Sequence, residues 1–285
     1  MANLKEIRNR IASVSSTMQI TSAMKMVSAA KLKKAQDAIT AMRPYSDTLT
    51  DLLQSLSGSI ESSDASKYVA VRGEDKILLV AITSNRGLCG AFNTNVIKQA
   101  QSLAKGAYAG KAVSVMAVGK KSADILGKDF PLVSNESAIY EDLTFANVSE
   151  IADRLMEDFA TEKFDKIVLI YNKFKNAATQ IVTTEQFLPI VPVVGAAAES
   201  DYIFEPGKAE IVSELVPKAL KTQLFKGIRD SFASEHGARM TAMHKATDNA
   251  TDLRDQLKLT YNKARQAAIT NEILEIVGGA EALND

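Results

Sequence analysis

The chain has 285 residues, 46% hydrophobic and 24% charged, with 34 basic and 34 acidic side chains and a formal net charge of zero. One cysteine, Cys89, and two histidines, His236 and His244, exclude a disulfide framework and argue against a structural zinc site, and they suit a reducing compartment. No apolar run of about 18 residues offers a membrane span, and the N-terminus enters a charged amphipathic pattern that reads as mature structure rather than a signal or targeting peptide.

From Asn3 to about Leu56 the sequence reads as one helix. A 3-4 spacing joins Leu4, Ile7, Ile11, Val14 and Met18, and resumes at Leu32, Ala35, Ile39, Met42, Leu49, Leu53 and Leu56, which makes a heptad seam. Between Met18 and Leu32 the apolar residues slip: Ile20, Met24 and Val27 carry the apolar face, while Thr21, Lys25 and Ser28 hold the old seam positions. At 1.5 Å per residue the helix would be roughly 80 Å long, more than one domain of this size covers, so it requires a partner helix. Pro44 is expected to kink it near Arg43.

A Ser-rich linker near Leu56 to Arg72 leads to a stretch of a different kind. Strands are expected at Lys76–Ile82, Val113–Val118, Lys166–Tyr171 and Thr179–Leu188, with helices at Asn93–Ala104 and Val148–Phe159. This alternation implies a mainly parallel, Rossmann-like sheet with helices outside it. A second linker falls near Val194 to Gly207. The final helix runs from about Glu210, with Met243, Ala246, Ala250, Leu253, Leu257, Thr260, Ala264 and Ala267 at seam spacing and Leu274 rejoining it. Gly237 inside it costs about 1 kcal/mol relative to Ala. Beyond Ala268, Ile269, Ile273, Leu274, Ile276 and Val277 form a stripe wider than a two-stranded seam needs, so the tip expects a third surface.

The fold class is therefore α/β plus a long antiparallel coiled coil: the terminal helices (1–57 and 208–285) pair, and a Rossmann-like α/β domain (70–205) is inserted between them. The zero net charge hides a gradient, from +6 over Met1–Arg43 to −4 over Gln266–Asp285. Such polarity marks either solvated helix faces or a basic collar for an acidic partner.

An α/β domain invites an enzyme, so its glycines need testing. Asn85-Arg86-Gly87-Leu88-Cys89-Gly90 follows the first strand, where a phosphate loop lies in nucleotide enzymes, but it lacks G-x-G-x-x-G spacing. Gly106 and Gly110 precede Lys111 at the wrong interval for G-x-x-x-x-G-K-[ST], and Gly119-Lys120-Lys121-Ser122 has Ser114 where the first glycine belongs. Neither histidine has a Ser or Cys partner at a recognisable spacing. Cys89 reads as a small buried residue in a tight turn rather than a reactive thiol. No catalytic residue, cofactor site, metal site or nucleic-acid surface is expected.

Three long strings carry a resemblance. Met24 to Leu32 (MKMVSAAKL), Thr83 to Asn93 (TSNRGLCGAFN) and Tyr261 to Ala280 (YNKARQAAITNEILEIVGGA) closely resemble the gamma subunit of F-type ATP synthase, in order and at both ends and the middle. The likeness is bacterial in type, since no second cysteine is present to form the regulatory dithiol of the chloroplast form. It implies a central rotor shaft that catalyses nothing itself. Its partners would be a ring of three alpha and three beta subunits, the epsilon subunit and the membrane rotor c-ring. Attachment would be peripheral, on the cytoplasmic face of the bacterial plasma (inner) membrane. By the same resemblance, Arg8, Arg10, Met24, Lys25, Lys31, Lys33 and Lys34 form a collar facing the beta-subunit levers. Arg265, Gln266 and Thr270 form a polar catch on a beta loop, and Ile273, Leu274, Ile276 and Val277 turn in an apolar bearing. Tyr202, Phe204 and Glu205 touch the rotor ring or epsilon.

Two other readings share the sequence: an α/β enzyme that dimerises through a coiled coil, which nucleotide binding would support, and a passive scaffold, which leaves the over-apolar tip unexplained.

Overall fold

The structure is a computed structural model describing residues 4–55, 64–70, 72–190 and 207–281. Its contacts divide the chain into two compact units, Met1–Val27 with Met240–Asp285, and Ser28–Arg239. A long N-terminal helix α1 (Leu4–Ser55) and a longer C-terminal helix α5 (Lys208–Glu281) each contribute to both units.

In the smaller unit the two helices pair antiparallel. Thr21 Oγ1 and Thr247 Oγ1 lie 2.8 Å apart, and the Thr251 hydroxyl donates to Met18 Sδ at 3.3 Å, so positions advance along one helix as they recede along the other. The same offset brings Leu4 level with Ala264. Beyond that point α5 has no helix partner among the described residues, and every described side chain from Arg265 to Gly279 is exposed.

The expected slip in α1 is absent. Leu4, Ile7, Ile11, Val14, Met18, Thr21, Lys25, Ser28, Leu32, Ala35, Ile39, Met42, Ser46 and Leu49 are all buried or half-buried, so one 3-4 seam runs through without interruption. Thr21 and Ser28 are buried in it, while Ile20 and Val27 are 60% and 57% exposed. A hydroxyl pair satisfies the seam where apolar residues would otherwise sit, since each buried threonine hydroxyl finds a partner. The phase along α5 also differs from expectation. Met243, Thr247, Ala250, Arg254, Leu257, Tyr261 and Ala264 are buried or half-buried, whereas Leu253, Thr260 and Ala267 are exposed. Thr247 takes its place through Thr21, and Arg254 lays its stem in the seam with Nη1 3.5 Å from Met18 Sδ. Leu274 does not rejoin the seam. The side chains of Leu53 and Leu56, most of the first linker and nearly all of the second lie outside the described residues.

This pairing gives a test. Thr21→Val alone leaves the Thr247 hydroxyl its bond to the Met243 carbonyl at 2.8 Å but no partner across the seam, a loss of about 0.5 to 1.5 kcal/mol, and Thr21→Val with Thr247→Val costs less than the sum of the two single changes. Urea unfolding of the three variants reads the difference directly.

In the larger unit, strands β1 (Lys76–Ile82), β2 (Ala112–Val118), β3 (Leu132–Asn135), β4 (Lys166–Phe174) and β5 (Gln180–Leu188) form one sheet in the order β3-β2-β1-β4-β5. The first four are parallel; β5 is antiparallel to β4, with Ile170 opposite Thr184. Residues 77–82 of β1 are completely buried, as a central strand covered on both faces requires. On one face Ile77, Leu79 and Ala81 pack with α2 (Phe92–Lys105) and with Leu126 of α3 (Lys120–Asp129). On the other, Leu78, Val80 and Ile82 pack with α4 (Phe145–Ala160) and with a stripe on α5, Val212, Val216, Leu220, Leu224 and Ile228. The sheet is mixed and Rossmann-like as expected; α3 and β3 were not expected from the sequence. Both Pro44 and Pro217 lie inside their helices.

Candidate functional site: a closed strand end and exposed helix faces

The carboxyl ends of parallel strands are where ligands bind in open α/β sheets, at the point where strand order reverses. Here that point lies between β1 and β4, where Asn172 Nδ2 of β4 donates to the Phe92 carbonyl at the start of α2 at 3.1 Å; beside it, at the ends of β1 and β2, side chains take up the free donors. Helix α3 begins after Gly119, whose φ of 119° suits glycine. Its first N–H groups are the donors a phosphate would need. Lys120 N donates to Asn85 Oδ1 at 3.0 Å, Ser122 N to Thr83 Oγ1 at 2.9 Å, and Lys121 N to the Ser84 carbonyl at 3.2 Å. The residues after β1 therefore cap α3 from a distance in sequence.

The same turn is braced within itself. Ser84 Oγ donates to the Arg86 carbonyl at 2.6 Å, Asn93 Oδ1 accepts from Ser84 N at 2.9 Å, and Asn93 Nδ2 reaches Cys89 Sγ at 3.2 Å. Cys89 is buried, and desolvation pushes its thiol up from the ordinary range. A raised thiol is protonated at neutral pH and so a poor nucleophile.

From α5, Glu235 and Arg239 form a buried ion pair of 2.6 Å. Burial pushes the Glu235 carboxyl up against the opposing pull of Arg239. Beside it His236 is buried edge-on to Phe232, ring centroids 4.5 Å apart, and neither ring nitrogen has a hydrogen-bond partner among the described residues. Burial lowers its pKa to about 4, helped by the charges of Arg239 and Lys31. Above pH 6.5 the ring is neutral folded or unfolded. As pH falls toward 4, the unfolded chain takes up a proton that the folded chain refuses, so stability is lost through that window, by roughly 3 kcal/mol at its low end. The raised Glu235 works in the opposite sense. Melting temperatures between pH 7 and 4.5 are expected to fall less for His236→Phe, which keeps the ring contact, than for the unaltered chain.

The residues singled out in the sequence occupy the helices. Arg8, Arg10, Lys31, Lys33 and Lys34 are exposed on α1; Met24 and Lys25 are half-buried. Arg265, Gln266 and Thr270 are exposed on α5, and Ile273, Leu274, Ile276 and Val277 are 54 to 66% exposed. Tyr202, Phe204 and Glu205 lie outside the described residues. The sequence reading missed Ile20 and Val27 as outward residues and missed the ties of Glu235 and Arg239. The sign available in sequence was the i,i+4 spacing of Glu235 and Arg239. Among the described residues, no group of three or more His, Cys, Asp or Glu side chains could hold a metal ion.

An antiparallel pair of long terminal helices, with an α/β domain between them in sequence whose α3 N-terminus is capped by Thr83 and Asn85, defines a class of protein built on a helix pair. Comparison with known proteins agrees. The family model described as ATP synthase matches residues 3–283. The ATP synthase gamma chain of Flavobacterium johnsoniae is 70% identical over 286 residues, covering 100% of both chains, and that of Christiangramia forsetii is 65% identical with the same coverage. Among solved structures, a chain of the Euglena gracilis mitochondrial ATP synthase OSCP/F1/c-ring assembly in rotational state 3 has a TM-score of 0.71 at 23% identity, covering 98% of this chain and 94% of the other. A chain of the Tetrahymena thermophila mitochondrial ATP synthase central stalk and c-ring has a TM-score of 0.59 at 25% identity, covering 80% and 99%. The chain belongs to the ATP synthase gamma-chain family.

Proposed function

We propose that this chain is the central-stalk shaft of an F-type ATP synthase. It would be a non-catalytic rotor that couples proton flow through a membrane rotor ring to the nucleotide sites of a ring of three alpha and three beta subunits. Beyond family membership, one observation carries the reading: α5 runs on past its partner helix as a single helix with Ile269, Ile273, Leu274, Ile276 and Val277 exposed. A lone helix of that length is marginal in water, so these residues call for an apolar sleeve that leaves them free to turn. The sealed α3 N-terminus supports a structural rather than catalytic role for the α/β domain.

The uninterrupted seam gives the collar a defined surface. Ile20, Met24, Val27, Lys31 and Lys34 stand at i, i+4, i+7, i+11 and i+14, on one face of α1. An apolar patch followed by cations suits a lever loop that is both apolar and acidic. Arg8, Arg10, Lys25 and Lys33 would extend the charge, and Arg265, Gln266 and Thr270 would form the catch. A shaft couples two equilibria by making different contacts with each beta conformation. Tyr202, Phe204 and Glu205 would meet the rotor ring or epsilon. Attachment to the cytoplasmic face of the bacterial plasma membrane would run through that ring; among the described residues no helix is long and apolar enough to cross a membrane.

Mixing alpha and beta subunits of the same organism with and without this chain tests the proposal. A complex of three alpha, three beta and one copy, with turnover well above that of alpha and beta alone, is the expected result; a folded chain that fails to join the ring overturns it. Within that complex, deleting Gly278–Asp285 is expected to lower turnover less than changing Arg265 and Gln266 together to Ala. Equal losses would count against the catch assignment of Arg265 and Gln266.

A further inference from the structure

The turn from Asn85 to Gly90 is unusual in sequence, and its backbone carbonyls point to a use. Arg239 Nη2 lies 3.3 Å from both the Arg86 and the Gly87 carbonyl oxygens, while Nη1 of the same guanidinium donates to Glu235 Oε1 at 2.6 Å. One planar fork thus ties a carboxylate of α5 to two carbonyls of the turn after β1. The Arg239 side chain is 9% exposed and that of Glu235 10%. One further hydrogen bond and one close backbone approach lie within a turn and a half. Ser234 Oγ donates to the Asn172 carbonyl of β4 at 2.9 Å, and a Cβ on Gly237 would stand 3.2 Å from Ala177 Cα in the β4–β5 hairpin.

Nearer its start α5 is also tied to β5, Gln223 Nε2 donating to Glu185 Oε1 at 2.7 Å and to the Gln186 carbonyl at 3.2 Å, but the contact along its buried stripe is of another kind. The stripe from Val212 to Ile228 is apolar, and apolar burial has no preferred direction, so it resists rotation of a helix weakly. Hydrogen bonds are directional. At about 100° per residue, positions 234 and 239 stand about 140° apart around the helix, and Gly237 passes close to Ala177 on the other side of Ser234, so a turn in one sense or the other breaks a hydrogen bond or drives backbone against backbone. Arg239 is also the last residue of the larger compact unit.

We propose that Ser234, Gly237 and the Glu235–Arg239 fork, seated on the Arg86–Gly87 carbonyls, form a torsional joint that holds this stretch of α5 against turning on the α/β domain. The inference rests on the rotor reading. It gives the Asn85–Gly90 turn a mechanical role: a braced socket for a guanidinium, with Cys89 sealed behind it.

The whole ATP synthase in inverted membrane vesicles, carrying Arg239→Lys, tests it. A lysine keeps the charge beside Glu235 and has no fork to hold the turn. ATP hydrolysis is expected to stay within about twofold of the unaltered enzyme, protons pumped per ATP to fall about fivefold, and maleimide labelling of Cys89, read by mass on this chain, to rise about tenfold as the socket loosens. Unchanged pumping per ATP overturns the joint whether or not Cys89 becomes reactive, because the contact is then local packing alone. Reduced pumping with Cys89 still sealed also overturns it, because the socket has not opened. If Arg239→Lys does not accumulate in the complex, Glu235→Gln, which removes the carboxylate orienting the guanidinium, takes its place: reduced pumping with a reactive Cys89 supports the joint, and either change without the other overturns it. Failure of the unaltered chain to join alpha and beta would remove the rotor reading itself, an outcome distinct from all of these.

Discussion

Replacing Lys31, Lys33 and Lys34 together with glutamate is expected to lower ATP-driven proton pumping by more than about tenfold while the chain stays folded. All three side chains are exposed on α1, and the change takes this segment from +3 to −3. Exposed charges contribute little to folding, typically less than about 1 kcal/mol each, so circular dichroism and the melting midpoint should move little. Against an acidic lever the same reversal turns attraction into repulsion, and misplaced like charges at an interface cost several kcal/mol. Lys31 has a second tie, because its charge favours ionised Glu235. Lys33→Glu with Lys34→Glu, which leaves Lys31 in place, separates the two: if the loss disappears, the effect of the triple change lies in the buried pair rather than in the collar. Normal pumping by the triple variant would end the collar assignment.

Gly119→Ala is expected to be the most destabilising single methyl in the α/β domain. Gly119 sits at φ 119°, where an L side chain is strained, and an added Cβ would collide with the Thr83 carbonyl oxygen and stand 2.7 Å from the carbonyl carbon. Relief requires moving either α3 or the end of β1, and both are pinned. Thr83 N donates to the Val118 carbonyl at 2.8 Å, Tyr140 Oη to the Thr83 carbonyl at 2.9 Å, and Ser122 Oγ to the Gly119 carbonyl at 2.9 Å. A loss of about 3 to 5 kcal/mol follows, which at about 2 to 4 °C per kcal/mol lowers the melting midpoint by on the order of 10 °C. A midpoint within about 2 °C of the unaltered chain would show that the strand end can yield.

The sequence made the central elements plain and the polar ones obscure, for identifiable reasons. β1 was legible to the residue because Lys-Ile-Leu-Leu-Val-Ala-Ile is a continuous apolar run bounded by charge and polarity. The tip of α5 was legible because its apolar residues exceed what a two-stranded seam can cover. Helix α3 was not, because only Ser122 and Leu126 are buried on it and its N-terminus is capped by Thr83 and Asn85, far away in the chain. β3 has four residues with both ends exposed, too short for a period to show. In the helical pair, ranking positions by apolarity moved the seam onto Ile20 and Val27 and onto Leu253. The structure keeps a strict heptad and fills the gap with Thr21, Thr247 and the stem of Arg254, groups that become seam residues only when they meet each other. Of the candidate site, the helix faces were visible because charge and apolarity are local. The Arg239 socket was not, because backbone carbonyls accept without leaving a mark in sequence.

The unpaired end of α5 also bears on the life of a copy that has found no partners. Such a copy displays five large aliphatic residues on a helix that has no neighbour beside it among the described residues, the kind of surface that holding chaperones grip and quality-control proteases open first. The feature that would turn inside a finished machine would thus expose a copy without partners to the machinery that removes incomplete assemblies.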